Sequence, residues 1–127
     1  MNIVLWILQV LLGIYFLFVG VNHFIVPPGL PMSWMYELPT GLHYVSGTAE
    51  TLAGLGLILP GLTQIQTRLT PLAGIGLVLV MVGAMVWHAQ RGEVVNIFQN
   101  LILAVLAGFV AYGRWRLSPL PDRSASP

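Results

Sequence analysis

The sequence contains no cysteine. Disulfide scaffolding, CxxC redox chemistry and thiolate metal ligation are therefore excluded within this chain. Lysine is absent too, so the five basic residues are all arginines. Charged residues make up 7% of the 127 positions, against about 25% in an ordinary soluble domain. A formal net charge of +1 leaves no electrostatic footprint for nucleic acid, and no nucleic-acid partner is expected. No arginine precedes Arg68. The N-terminus thus lacks the positive region of a signal peptide, and its apolar run is read as a retained span.

What is present is apolar. Hydrophobic residues make up 57% of the chain and the mean hydropathy is +0.85, values of an integral membrane protein embedded in a lipid bilayer. Four runs approach the length of about 20 residues that a span needs. They are predicted at about 3–26, 41–59, 71–90 and 93–112. Pro27-Pro28 stops the first, and Pro60-Gly61 is expected to end the second. Thr40 and Thr70 are candidate N-caps, and Pro71 suits a first helical position. Glu93 suits the start of the fourth, and Gly113 with Arg114 and Arg116 its end. The expected fold class is all-α, a four-helix membrane bundle. Residues 1–117 form the four-span domain, and the Pro/Ser-rich 118–127 is expected as a disordered cytoplasmic tail. Arg68, Arg114, Arg116 and Arg123 fall on one side of the membrane and Arg91 on the other. The positive-inside rule then puts both termini in the cytoplasm, an N-in/C-in topology. Trp6 and Trp115 would mark the inner interface, and Trp34 and Trp87 the outer one. The Pro-rich loop 27–40 would lie outside, in the interface or as a lid.

Polar residues are unevenly placed on this frame. Glu50 lies roughly 14 Å into the second span, near the midplane. On a helix it shares a stripe with His43, Gly47 and Gly54. A carboxyl at that depth is costly and needs a partner or a wet cavity. Asn22 and His23 close the first span, His88 ends the third, and Asn96 and Asn100 share a face at the start of the fourth. All three histidines and Glu50 therefore fall in the outer half. Gln9 is the main polar exception in an inner half of glycine and aliphatics. Glu50, His43 and His88 are the candidate catalytic residues. His23, Asn22, Asn96 and Asn100 are the candidate ligand-binding residues. Each has a plainer reading: an interhelical hydrogen bond for Glu50 and the asparagines, an interfacial helix end for the histidines. The histidines and Glu50 are of types that suit zinc or iron, yet no dense ligand motif joins them, and no metal site is expected. LAGLGLIL at 52–59 echoes LAGIGLVL at 72–79, and Gly54, Gly56, Gly74 and Gly76 would let the second and third helices approach closely.

These residues carry a resemblance. LGIYFLFVGVNHF, then a Pro-rich loop, SGTAETLAGLGLILPG, a Gly-rich third helix ending in histidine, and a fourth with NxxxN ending in YGR resemble the DoxX/DoxX-like family of small bacterial inner-membrane proteins. The likeness covers about Asn2 to Arg116. It implies a four-helix membrane bundle in the bacterial inner membrane. It also implies a link to membrane redox complexes, as in the namesake small subunit of a thiosulfate:quinone oxidoreductase, or to the assembly of partner proteins. Many relatives carry a basic residue where this chain has Asn22-His23.

Two functions from different classes follow. In the first, the chain is an accessory subunit of a quinone-linked redox complex, with its acid and histidines bonding the quinone and passing protons. It has no means of carrying electrons alone. It is then at most a non-catalytic or quinone-contacting subunit of an oxidoreductase, with no cofactor held within the chain except the quinone it contacts. In the second, it is a non-enzymatic protein that binds or assembles a membrane partner, and Glu50 is structural. A small transporter is a third reading, and at 127 residues it would need a second copy for alternating access. A protein partner or a homo-oligomer is expected in every case.

Overall fold

A computed structural model describes residues 1–25 and 40–122. The loop expected over 27–40 lies outside the described residues except for Thr40, and so do residues 123–127. Four helices follow one another: α1 (Asn2–Ile25), α2 (Thr40–Thr63), α3 (Leu69–Gln90) and α4 (Val94–Tyr112), which runs on into a π-helical turn at Gly113–Leu117. All four are long and apolar enough to cross a membrane. Together they form the helical bundle of a multi-pass membrane protein. Each helix is apolar almost all round and is polarised by size and polarity instead. On α1, Ile3, Ile7, Leu11, Ile14 and Phe18 are exposed, while Leu5, Gln9, Leu12, Phe16 and His23 are buried. An apolar exterior this extensive would aggregate in water and suits a hydrocarbon surround.

Small residues set the spacing between helices, because hydrocarbon offers no hydrophobic drive for their association. A Cβ on Gly54 would stand 2.8 Å from the backbone oxygen of Gly13 on α1. One on Gly74 would stand 2.8 Å from the Ala107 oxygen on α4. The expected α2–α3 glycine contact is thus redistributed. Gly54 serves the α1–α2 seam, Gly74 the α3–α4 seam, and only Gly56 faces α3, at Ala73. Gly76 meets nothing. Similar motifs in two antiparallel helices do not have to point at each other.

Pro60 does not end α2, which continues to Thr63. A proline inside a helix removes the N–H that would bond the carbonyl four residues earlier, here Gly56. In a membrane that carbonyl needs another donor. Thr70 Oγ1 supplies it, donating to the Gly56 oxygen at 2.8 Å. Thr70 is consequently a buried residue of α3, not its N-cap, and Arg68 holds the cap position without a side-chain bond. Gly113 is also helical and is not a terminator.

Successive helices pack on one another, while α1 and α4 meet only briefly. The resulting wedge is closed at the end that carries Asn2 and Arg114. Arg114, 3% exposed, donates from Nε to Gln9 Oε1 and from Nη1 to Asn2 Oδ1 and the Ser118 oxygen, both at 2.8 Å. Its guanidinium lies 5.6 Å from the Trp6 ring centre. Gln9 Nε2 in turn donates to the Leu57 oxygen at 2.8 Å. α1, α2 and the π-helical turn are thereby tied together by a buried cation held on neutral oxygens. Residues 118–122, expected as part of a disordered tail, dock here as well. Leu120 is buried, and Asp122 Oδ2 accepts from the Thr67 backbone N–H at 3.0 Å. The buried Leu120 side chain and the Asp122 carboxylate, which accepts from both the Thr67 N–H and its hydroxyl, are the contacts that hold this segment.

Candidate functional site

The site begins at the α1–α2 seam. Gly20 and Gly47 bring the backbones so close that a Cβ on Gly47 would lie 2.6 Å from His23 Cβ. His23 is therefore laid across Gly47, one turn before Glu50. Its Nδ1–H donates to the Val19 oxygen at 2.9 Å, and the same nitrogen stands 3.8 Å from Glu50 Oε2, too far for a hydrogen bond. Glu50 is 6% exposed. Among the described residues its Oε2 has no hydrogen-bond partner. His43 does not reach it. The His43 Nε2–H donates to the His23 backbone oxygen at 2.6 Å, and its ring lies between those of His23 and Tyr44.

The opposite wall is set by the α3–α4 turn, Arg91-Gly92-Glu93. Gly92 has φ +70°, a conformation that suits glycine and lets the chain reverse in three residues. The reversal folds Glu93 back over the end of α3, where its backbone N–H bonds the His88 oxygen at 2.9 Å. Its carboxylate accepts from His88 Nδ1 at 2.9 Å and from Arg91 Nε at 3.0 Å. Arg91 also lies over Trp87, 5.3 Å from the ring centre. The His88 hydrogen bond, supported by Arg91, holds the Glu93 carboxyl below the ordinary glutamate range. Asn96 Nδ2 lies 3.4 Å from the same His88 nitrogen. With the Nδ1 proton directed at Glu93, that amide cannot donate to it, so the shorter contact decides the tautomer.

Between these walls is a cavity of about 280 Å³. α1 contributes Tyr15, Phe16, Val19 and His23, and α2 contributes Leu42, Val45, Ser46 and Glu50. From α3 come Met81, Trp87 and His88 among others, and from α4 Asn100 and Leu103. The lining is mostly apolar with a few convergent polar groups, the usual make-up of a small-molecule site. Of the residues singled out from the sequence, Glu50, His88, His23 and Asn100 come together here. His43, Asn22 and Asn96 do not line it. Asn22 Nδ2 is turned to the Phe18 oxygen at 2.6 Å. Among the described residues no group of three acidic or histidine side chains could hold a metal ion.

Tyr15, Ser46 and Trp87 also line the cavity, and sequence reasoning did not single them out as site residues. The signal for two of them was helical spacing. Tyr15 lies two turns before His23, and Ser46 one turn before Glu50. The cavity stripe on α2 runs through Leu42, Ser46 and Glu50, one position round from the stripe through His43 and Gly47. The latter faces α1 instead. In the sequence Trp87 reads as part of the aromatic belt, and nothing local distinguishes the two roles.

Residues 7–110 match the profile of a family described as the DoxX-like family. No curated protein and no solved structure matches the chain.

Proposed function

The chain belongs to the DoxX-like family, and from that premise and the cavity we propose that it is an accessory subunit of a quinone-linked redox complex in the bacterial inner membrane, binding a quinone-type ring in its cavity. The observation that carries this reading is that Glu50 Oε2, at the cavity wall, has no hydrogen-bond partner among the described residues. Buried polar atoms are almost always hydrogen-bonded, and in hydrocarbon an orphaned one costs more than in water. A Glu50 that served packing alone would bond a neighbouring helix. One whose Oε2 finds no hydrogen bond among the described residues and that borders a cavity is suited to an occupant with a polar oxygen. Size and chemistry fit. A cavity of about 280 Å³ exceeds the roughly 150 Å³ that accommodates benzene, and its lining offers apolar ring contacts with polar groups at opposite walls. A bound quinone would supply the redox chemistry in company with an electron-carrying partner. The chain's own residues would hold the ring, exclude water and offer a proton site at Glu50. In this reading the end bearing Asn2, Arg68 and Arg116 faces the cytoplasm.

The test is an equilibrium titration in nanodiscs with a short-chain benzoquinone. Quenching of Trp87 is read in a background of Trp6→Phe, Trp34→Phe and Trp115→Phe. Saturable quenching is expected, weakened about tenfold by Glu50→Leu and little changed by Glu50→Gln, which keeps a polar group at the wall. Quenching that never saturates, or that is identical in Glu50→Leu, would move the weight to a partner-binding or assembly role.

A further inference from the structure

Among the described residues, His88 has hydrogen-bond contacts on one ring nitrogen only. Both Glu93 and Asn96 approach Nδ1, and no described residue bonds Nε2. In a neutral imidazole one nitrogen donates and the other accepts. The carboxylate at 2.9 Å accepts a hydrogen bond from Nδ1–H and so keeps the ring proton on Nδ1, which leaves Nε2 as an acceptor on a residue that lines the cavity. The device is built from the short turn. Gly92 at φ +70° permits the reversal, the backbone bond from Glu93 to the His88 oxygen fixes it, and Arg91 steadies the carboxylate. Glu93 lies outside the membrane-spanning helices and is partly solvated, so it remains a carboxylate and a dependable acceptor. The other titratable groups at the cavity are Glu50, His23 and Tyr15, and no described contact joins any of them to His88.

We propose that Glu93 is a positioning residue that holds His88 as a hydrogen-bond acceptor at the cavity wall, so that the cavity selects an occupant carrying a hydroxyl donor, a hydroquinone or phenol, over one whose oxygen is alkylated. The selectivity rests on the cavity reading above, and the tautomer does not. A hydroxyl O–H pointing at Nε2 makes a bond that a methoxy group cannot, and the methyl would be forced against the ring nitrogen. The same orientation makes His88 the residue that receives a proton from such a hydroxyl, with the resulting imidazolium stabilised by the Glu93 carboxylate.

Two measurements separate the parts of this proposal. The tautomer of His88 is read by ¹⁵N NMR of histidine-labelled protein in nanodiscs at mildly alkaline pH, with His88→Gln assigning the signals. A protonated Nδ1 and a bare Nε2 are expected. Glu93→Ala should shift the ring toward the Nε2–H form, while Glu93→Gln, whose amide oxygen still accepts, should largely preserve it. Binding of trimethylhydroquinone and of its dimethyl ether is then compared anaerobically. The hydroquinone should bind about tenfold more tightly than the ether, and Glu93→Ala should remove that preference while Glu93→Gln retains it. An Nε2–H ring in the native protein overturns the positioning role. Equal binding of hydroquinone and ether overturns the selectivity. If the tautomer is as expected and neither compound binds, the positioning is upheld and the quinone-site reading fails.

Discussion

Glu50 and Glu93 are chemically the same residue in opposite circumstances. Glu93 has two donors within reach at the edge of the bundle, His88 and Arg91. Glu50 has a buried oxygen that no described side chain bonds. The difference comes from position. Glu93 follows a glycine turn that returns it to its own helix end, whereas Glu50 sits mid-helix, where its backbone cannot bend to find a donor. For Glu93 the folded protein favours the ionised form. A carboxyl whose folded value is depressed adds stability above its unfolded value, and that contribution is lost as the pH falls through the folded one. The melting temperature of the native protein should therefore exceed that of Glu93→Gln at neutral pH. The gap should narrow on acidification through and below the ordinary carboxylate range. A constant gap across that range would show that the His88 and Arg91 contacts contribute nothing through charge.

Two features of the helices themselves can be tested against internal controls. Pro60 leaves the Gly56 carbonyl without its helical donor, and Thr70 replaces it across α2 and α3. Thr70→Val keeps the shape and removes the hydroxyl. It should destabilise the bundle by about 1–3 kcal/mol, the cost of a buried unsatisfied group, while Thr70→Ser should stay close to native; SDS-titrated unfolding measures both. Gly74 and Gly76 lie in the same motif on α3 and differ in surroundings. A Cβ at Gly74 would press on the Ala107 backbone oxygen at 2.8 Å, which only a shift of α4 could relieve. Gly74→Ala should cost about 1–3 kcal/mol by overpacking. At Gly76 nothing lies within 4 Å, so Gly76→Ala should be neutral or stabilising by up to about 1 kcal/mol, the gain in helix propensity. Equal melting temperatures for the two variants would remove the α3–α4 contact from the account. The LAG(L/I)GL repeat announces that small residues matter. Which of the two glycines is in contact depends on the rotation of each helix, and a helix that is apolar all round carries no pattern to fix that rotation.

Taken whole, the molecule is a wedge of four helices pinned at one end and cavity-bearing at the other. Arg114 does the pinning, although it looks like one more interfacial cation when read along the chain. Its side chain turns inward from the π-helical turn to Gln9 and Asn2, contacts 105 and 112 residues away in sequence. The proposed orientation puts the pinned end in the cytoplasm. A membrane-impermeant maleimide applied to intact cells should then label Gln90→Cys and spare Gln64→Cys, and the reverse pattern would invert the orientation.

That the chain spans a membrane as four helices follows from residue order, because length and hydropathy are local sums that no packing arrangement can change. Residue order also singles out Glu50 and His88, since polar atoms within long apolar runs stand out without any coordinates. Tertiary structure alone decided which polar residues meet. His43 and Glu50 share a helical stripe, yet the close approach at Gly47 turns His43 onto the His23 backbone and places His23 nearest the acid. Glu93 holds the N-cap position of α4 as its place in the sequence suggests, yet its carboxylate makes no cap bond and bonds His88, a contact that depends on a left-handed glycine. Thr70 looked like a cap and instead completes α2. In each case the deciding contact is a hydrogen bond to a backbone carbonyl or a side chain. Such bonds depend on rotation and separation of a few ångströms, and nothing in residue spacing encodes those quantities.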